Sequence, residues 1–457
     1  MIVILGFMIL IHEFGHYAVA KLLGVRVEQF AIGFGKRLVG FRKGETDYRI
    51  NALPLGGYVK MSGENPMDRH TGDPREFVNH SRWHRFLIAI AGPSMNILLA
   101  IFLLAGVFYV HPEYAPSDDG PAIVGTVKPD SPAAKAGVQP GDRILKIDGI
   151  ENPTWEEVLS RDAINVNQHL HVVIQRGNAT MEKDVVPAPV TVNQIGSSGW
   201  FPSEPVIVGT VEQDMPGAKA GIQLGDKIIA VDDKPLASMQ GLVETLQQTK
   251  DKPVDLTVER PGKTIHIVVQ PVLKAIPGTA PSNDWFSSFL RKIGLLHEQP
   301  AKEQQRYRIG FAGGPAPVNV EKLSLSEAFS RSLSENRNNS RLLLELVGKL
   351  VQRKVSLKTV SGPIGIAQMT GQAARAGLAP LLVLTCLISL NLGIFNLLPI
   401  PIMDGGVILL LFIESLMRRD ISLPVKERIY QAAFVFLVLF AIVVIFNDIS
   451  KLGSGMP

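Results

Sequence analysis

Four stretches of this chain are almost purely apolar, and the remainder alternates polar and apolar positions. They are Met1–Leu23, Phe86–Val110, Ala379–Pro399 and Ile429–Phe446. Each is close to the ~20 residues that cross a bilayer as a helix. The last three contain no Asp, Glu, Lys, Arg or His, so four spans are expected. The first run has no basic leader and no small-residue cleavage site after it, and is expected to be retained as a span. Between Gly24 and Arg85 lies a dense set of cations, including Arg26, Lys36, Arg37, Arg42, Arg49 and Arg82. The short connection before the last span holds Arg418, Arg419, Lys426 and Arg428. Positive loops stay on the cytoplasmic side, which places the long region between spans two and three outside.

Two polar histidines and a glutamate interrupt the first apolar run. The segment reads MILIHEFGHYAVA, with His12, Glu13 and His16. An ionisable group at a helix centre costs roughly 2.5–3.5 kcal/mol on insertion scales, so its presence there marks function. His-Glu-x-x-His sets two imidazoles at i and i+4 on one helical face. That arrangement suits two ligands of zinc, with the adjacent glutamate as general base of a hydrolytic reaction. Core histidines are the bland alternative, but of the ten histidines in the chain only these two fall within strongly hydrophobic stretches.

A catalytic zinc commonly takes three protein ligands and leaves one position open. Asp404 is the only acid between Ala379 and Leu411, and it follows the third apolar run in NLLPIPIMDGG (Asn396–Gly406). Pro399 and Pro401 break the helix and can turn Asp404 back toward the histidines. Gly405 and Gly406 allow close backbone approach. The alternative role for Asp404 is N-cap of a helix over Val407–Leu416. One aspartate could serve both purposes, and the ligand role is the favoured one.

The external region contains a repeat. Ile123–Ile150 and Ile207–Pro235 align at an offset of 84 residues: Gly125 with Gly209, Gly137 with Gly221, and Gly141-Asp142 with Gly225-Asp226. Such a fixed period signals duplicated units. Each unit reads as an apolar strand, a short helix closed by glycine, a Gly-Asp turn and a second strand. The pattern resembles PDZ domains of the bacterial type, which add a peptide to a sheet edge. Peptide binding and a role as spacers both remain open. Ser324–Lys354 opens with the capping box Ser324/Glu327 and carries leucines at helical spacing. This suits a helix at the membrane surface or one packed on a neighbouring domain.

Composition adds little to these motifs. Charged residues make up 19% of the 457 residues, against roughly 25% in soluble domains. A net charge of +4 needs no nucleic acid to explain it. The single cysteine, Cys386, lies in the third apolar run, so the external region folds without disulfides.

Taken in order, HEFGH at 12–16, NLLPIPIMDGG at 396–406, two PDZ-like units between spans two and three and SGPIGIAQ at 361–368 resemble the site-2 protease family, the intramembrane zinc metalloproteases, in their bacterial regulator-of-sigma-E type. The resemblance implies a polytopic α-helical membrane protein with four transmembrane helices, a membrane re-entrant β element and two extracytoplasmic PDZ domains. The helices would span 1–23, 86–111, 379–400 and 429–448. The re-entrant region would fall in 24–85, with the PDZ domains over 112–195 and 196–275. A linker and surface helix would occupy 276–378, and the third ligand with a cytoplasmic connection 401–428.

It further implies one catalytic zinc ion on His12, His16 and Asp404, with Glu13 activating water, and supporting roles for Asn96 and Asn396. Read bare, Asn96 is a polar residue available for bonding between helices. The implied partners are membrane lipid and single-span membrane proteins of the anti-sigma-factor type, cut after their external domain is trimmed. Remnant signal peptides are a second implied substrate. The implied location is the bacterial cytoplasmic (inner) membrane. Met403 and Val407 depart from the family's commoner leucine and histidine, and neither is an implied ligand.

Overall fold

The computed structural model describes residues 1–64, 72–112, 121–190, 195–276, 304–314 and 322–453. Two compact units divide the chain. One comprises Met1–Pro116, Glu321–Glu345 and Ser361–Phe446; the other comprises Ser117–Val320, Leu346–Val360 and Asn447–Pro457.

The first unit begins with helix α1 (Ile2–Leu22), followed by two long antiparallel strands, β1 (Val27–Lys43) and β2 (Thr46–Met61). Both strands fold over, so that Phe30 pairs with Val59 on one side and with Tyr48 on the other. The fold-over happens where Gly33 (φ +81°) comes against the Leu53 carbonyl, a conformation that costs glycine nothing. Segment 53–61 is thereby left as an edge that lies along α1. Farther out, Leu38, Val39, Phe41 and Ile50 are exposed, which suits contact with hydrocarbon better than with water. Helix α2 (Arg82–Val110) starts four residues before its apolar run. Ser81 caps it by accepting the His84 N–H.

The second unit contains the duplicated region. In its first half, β3 (Val124–Val127), helix α3 (Trp155–Ile164) and edge strand β4 (Trp200–Pro202) surround a core. The second half has β5 (Val206–Val211), α4 (Met239–Thr249) and β6 (Phe311–Gly313) in the same roles. Core residues repeat at the 84-residue offset: Ile144 and Ile228, Ile147 and Val231, Leu170 and Val254, Ile174 and Val258. The repeated glycines meet their expected need, with Gly137 and Gly221 closing short helices at φ +77° and +94°. Two expected boundaries move. Strand β4, beyond residue 195, pairs with β3 of the first half, and β6, far beyond 275, pairs with β5. Each half closes its sheet with a strand supplied late in the chain, which no local pattern announces.

The chain then forms α5 (Leu325–Val351), a helix over Pro363–Ala376, and three more helices: α6 (Leu378–Asn396), α7 (Asp404–Met417) and α8 (Leu423–Gly453). The Ser324/Glu327 capping box is present: Ser324 N–H donates to Glu327 at 2.8 Å and Glu327 N–H to Ser324 Oγ at 3.3 Å. Within the first unit α5 packs on α2. Ala328 joins Leu104, Phe108 and Cys386 in one cluster, and Ser332 Oγ–H donates to the Ile101 carbonyl at 2.7 Å. Among the described residues, four helices are long and apolar enough to cross a membrane: α1, α2, α6 and α8. Phe434, Phe436, Leu439 and Phe446 on α8 are exposed, as a lipid-facing helix requires.

Candidate active site

Helices α1, α2, α6 and α7 meet around His12 and His16, which are 6% and 8% exposed. The 387 residues between His16 and Asp404 are closed by folding. His12 Nε2 lies 3.0 Å from Asp404 Oδ2, His16 Nε2 lies 3.3 Å from Asp404 Oδ1, and the two Nε2 atoms are 3.2 Å apart. One donor atom from each residue falls within 4.8 Å of the others. Two imidazole nitrogens and a carboxylate oxygen converging at these distances suit a zinc ion in chemistry and in spacing.

The tautomers are prepared for that role. His16 Nδ1–H donates to the Ile88 carbonyl at 2.7 Å, which leaves the Nε2 lone pair facing the cluster. His12 Nδ1 lies 3.2 Å from the side-chain amide of the fully buried Asn96. A half-turn of that amide exchanges its oxygen and nitrogen. With Oδ1 toward His12 it accepts Nδ1–H and holds Nε2 free for a metal. Ser389 Oγ–H, from α6, bonds the Asn96 backbone carbonyl at 2.9 Å. Asn396 Nδ2 stands 3.4 Å from His12 Nε2.

Asp404 is held by the turn from Leu397 to Met403, which contains Pro399 and Pro401. This turn folds against the start of α7 so tightly that a Cβ on Gly405 would sit 2.2 Å from the Leu397 carbonyl oxygen. A Cβ on Gly406 would be equally close to that of Ile400. The N-cap reading of Asp404 is corrected. Met403 occupies that position with extended backbone and no side-chain cap, and α7 starts at Asp404 rather than Val407. A carboxylate at the first helical position complements the helix dipole while its oxygens remain free for the histidines.

Three contacts went unread in the sequence. Glu13 accepts the Val59 N–H at 2.9 Å, tying the acid to the hairpin edge. Gly92 of α2 lies directly against both imidazoles: a Cβ there would be 2.3 Å from His16 Nε2 and 2.8 Å from His12 Nε2. The repeated Gly-Asp turns also have unanticipated partners. Arg176 donates through Nε and Nη2 to Asp142 (2.7 and 2.8 Å) and through Nη2 to the Gly137 carbonyl (2.8 Å). Arg260 does the same to Asp226 and Gly221. Extending the 84-residue offset past Ile150 would have exposed this arginine pair. Gly125 and Gly209 sit where the edge strands close, against Pro202 and Gly314. Gly141 and Gly225 take left-handed backbone in the turns.

A cavity of about 460 Å³ adjoins the cluster, and its lining includes Glu13, His16, Asp404, Glu414, Lys426 and Tyr430. A membrane-spanning bundle with a buried His-His-Asp cluster and an adjacent glutamate defines a membrane zinc metalloprotease. The chain belongs to Peptidase family M50, whose profile matches residues 1–440. It is 34% identical to the regulator of sigma-E protease RseP of Salmonella typhimurium strain 14028s, over 99% of this chain and 98% of that one. Identity to the Escherichia coli K12 regulator of sigma-E protease RseP is 33% over the same shares. The protease RseP of Yersinia pestis is 32% identical, again over 99% of this chain. The chain is thus an intramembrane metalloprotease of the RseP-like type.

Proposed function

We propose that the protein hydrolyses peptide bonds within the transmembrane segments of single-span membrane proteins, after their external domains have been trimmed. His12, His16 and Asp404 would hold the zinc ion. When bound, that ion supplies Lewis acidity toward a carbonyl and toward water. Glu13 acts as general base and then returns its proton to the leaving amine. Asn96 and Asn396 orient His12, and Pro399 and Pro401 set the turn that brings Asp404 back.

A helical substrate hides its amides in internal hydrogen bonds and has to unwind before attack. The observation that carries this reading is the hairpin edge beside Glu13. By the alternation of an antiparallel ladder, Gly57 turns its backbone groups to the same side as Val59, and Glu13 Cγ lies 3.9 Å from where a Gly57 Cβ would be. A strand added to that edge regains hydrogen bonds lost on unwinding and runs past the cluster. Anti-sigma factors are the favoured substrates, with remnant signal peptides second. The enzyme would sit in the bacterial inner membrane with its PDZ-like units outside, where they limit access by size. A membrane-anchored PDZ adaptor with a structural zinc is the rival reading; a structural site has no use for Glu13 beside its ligands.

To test this, purified protein is given a single-span substrate lacking its external domain, beside Glu13→Gln and Asp404→Ala variants. Cleavage within the span by the parent alone, with zinc retained by Glu13→Gln and lowered in Asp404→Ala, is the expected result. Equal cleavage by parent and Glu13→Gln overturns the mechanism, and full zinc in Asp404→Ala removes that residue from the ligand set.

A further inference from the structure

The two PDZ-like halves share a backbone scaffold, and this makes one difference between them informative. Lys128 N–H donates to the Gly199 carbonyl as Glu212 N–H does to Gly310. Ala133 N–H donates to Ser198 as Gly217 N–H does to Ile309, and Ser203 N–H to Ile123 as Gly314 N–H does to Ile207. Ser198 therefore corresponds to Ile309, and Trp200 to Phe311. These residues form the loop that leads into the edge strand, β4 or β6, alongside α3 or α4. A peptide adds to such an edge, and its terminal carboxylate is captured by backbone N–H groups in a nest. The loop at the start of the edge strand is where the two requirements coincide.

In the first half that loop already holds a carboxylate. Asp162, on α3, accepts the Ser198 N–H at 2.6 Å through Oδ2 and the Ser198 hydroxyl through Oδ1. The next amide, Gly199 N–H, is taken by Ser197 Oγ at 3.3 Å. Asp162 is 3% exposed and Ser198 fully buried. At the 84-residue offset Asp162 corresponds to Leu246, a core residue of the second half. Val158 and Leu242 on the same helices are apolar in both. A buried carboxylate where the duplicate has leucine is costly, and burial pushes Asp162 up to about 6 in spite of the two Ser198 bonds. Strand β4 also has Pro202, without an N–H, where β6 has Gly313, which removes a donor from the ladder.

We infer that Asp162 acts as a built-in carboxylate that occupies the terminal-carboxylate loop of the first PDZ-like half and closes it to peptide C-termini. The inference rests on the PDZ-like scaffold and not on the proteolytic reading, so either can fail alone. The acid stands in the nest as a peptide terminus would, and access to the first half requires its displacement.

The full-length protein in detergent is probed with a decapeptide that ends in valine with a free carboxylate and carries a photo-cross-linker beside it. The same peptide with a C-terminal amide is the control, and labelled sites are mapped by mass spectrometry. The parent should show no carboxylate-dependent labelling at residues 195–203. Asp162→Leu, the residue of the second half, should bring labelling at these residues to about ten times that of the amide control, the scale of a charged hydrogen bond. Ser198→Ala, which removes one tether and preserves the shape, should give a smaller rise. Hydrogen exchange at Ile144 and Ile174 reports whether the first half stays folded. Carboxylate-dependent labelling of the parent at 195–203 overturns the inference whatever the variants do, as does a folded Asp162→Leu that labels no more than the parent.

Discussion

Glu13 accepts the backbone N–H of Val59 at 2.9 Å, so the acid beside the two histidines is positioned by the hairpin edge as well as by its own helix. Val59 pairs with Phe30 on its other side, which leaves this N–H outside the ladder. Proline is tolerated on an edge where its missing N–H is not a ladder donor. Val59→Pro should therefore keep the hairpin and release Glu13. Cleavage should fall at least about tenfold, the worth of a hydrogen bond to a charged group, with zinc content unchanged. Parallel loss of zinc would show that the variant had damaged the cluster itself.

Gly92 offers a test of the cluster that leaves every proposed ligand in place. A methyl group there would overlap His16 Nε2 and crowd His12 Nε2, and the His16 ring is tied in place by its Nδ1–H bond to the Ile88 carbonyl. Gly92→Ala should lower zinc retained after purification, measured per mole of protein, and activity should fall in proportion. Full zinc with full activity would mean the rings can shift, and the close approach would lose its meaning.

His12, His16, Glu13 and Asp404 were legible because each is a polar exception in an apolar setting, where exceptions are expensive. Gly92 was not, since a glycine in an apolar helix has several uses and only the opposing rings select one. Val59 was invisible for a different reason: its contribution is a backbone N–H, identical in every residue but proline. The repeat gave its own helices and turns, because these are local. It could not give the strands Trp200–Pro202 and Phe311–Gly313, which close each half from a distance. For Asp404 only the alternative role, as N-cap, falls away. Capping is a local habit of aspartate, and the turn through Pro399 and Pro401 moved that position to Met403.

Arg176 and Arg260 grip Asp142 and Asp226, whose carboxylates are almost wholly buried. Each aspartate also accepts an N–H from its own turn, Gln139 or Gln223. Removing the arginine strands a buried charge, which is far worse than deleting an exposed pair. Arg176→Ala should loosen hydrogen-exchange protection in the first PDZ-like half, and Arg260→Ala in the second. Lys227→Ala, which breaks an exposed pair with Glu259, should do little. Lysine at 176 or 260 should rescue in part, because it carries the charge without the two-pronged geometry. Equal effects of all three alanine variants would show that the clamps have no special role.

The pH dependence of the first half follows from Asp162. Burial is the largest influence and raises its carboxyl to about 6, opposed by the hydrogen bonds from Ser198, whereas an unfolded aspartate titrates near ~3.9. Between those values the native state binds more protons than the unfolded one, so stability falls as pH rises. The full benefit is present below about pH 4, and above about pH 6 the native state carries a buried charge. The change is on the order of 3 kcal/mol. Asp162→Asn removes the titration and keeps the shape. Hydrogen exchange in residues 121–190, corrected for the intrinsic rate, should slow in the parent as pH is lowered from 6.5 to 4, by more than in Asp162→Asn. If the two proteins have the same slope, the carboxyl titrates near its ordinary value, and Asp162 is not the buried acid that its place beside Ser198 makes it.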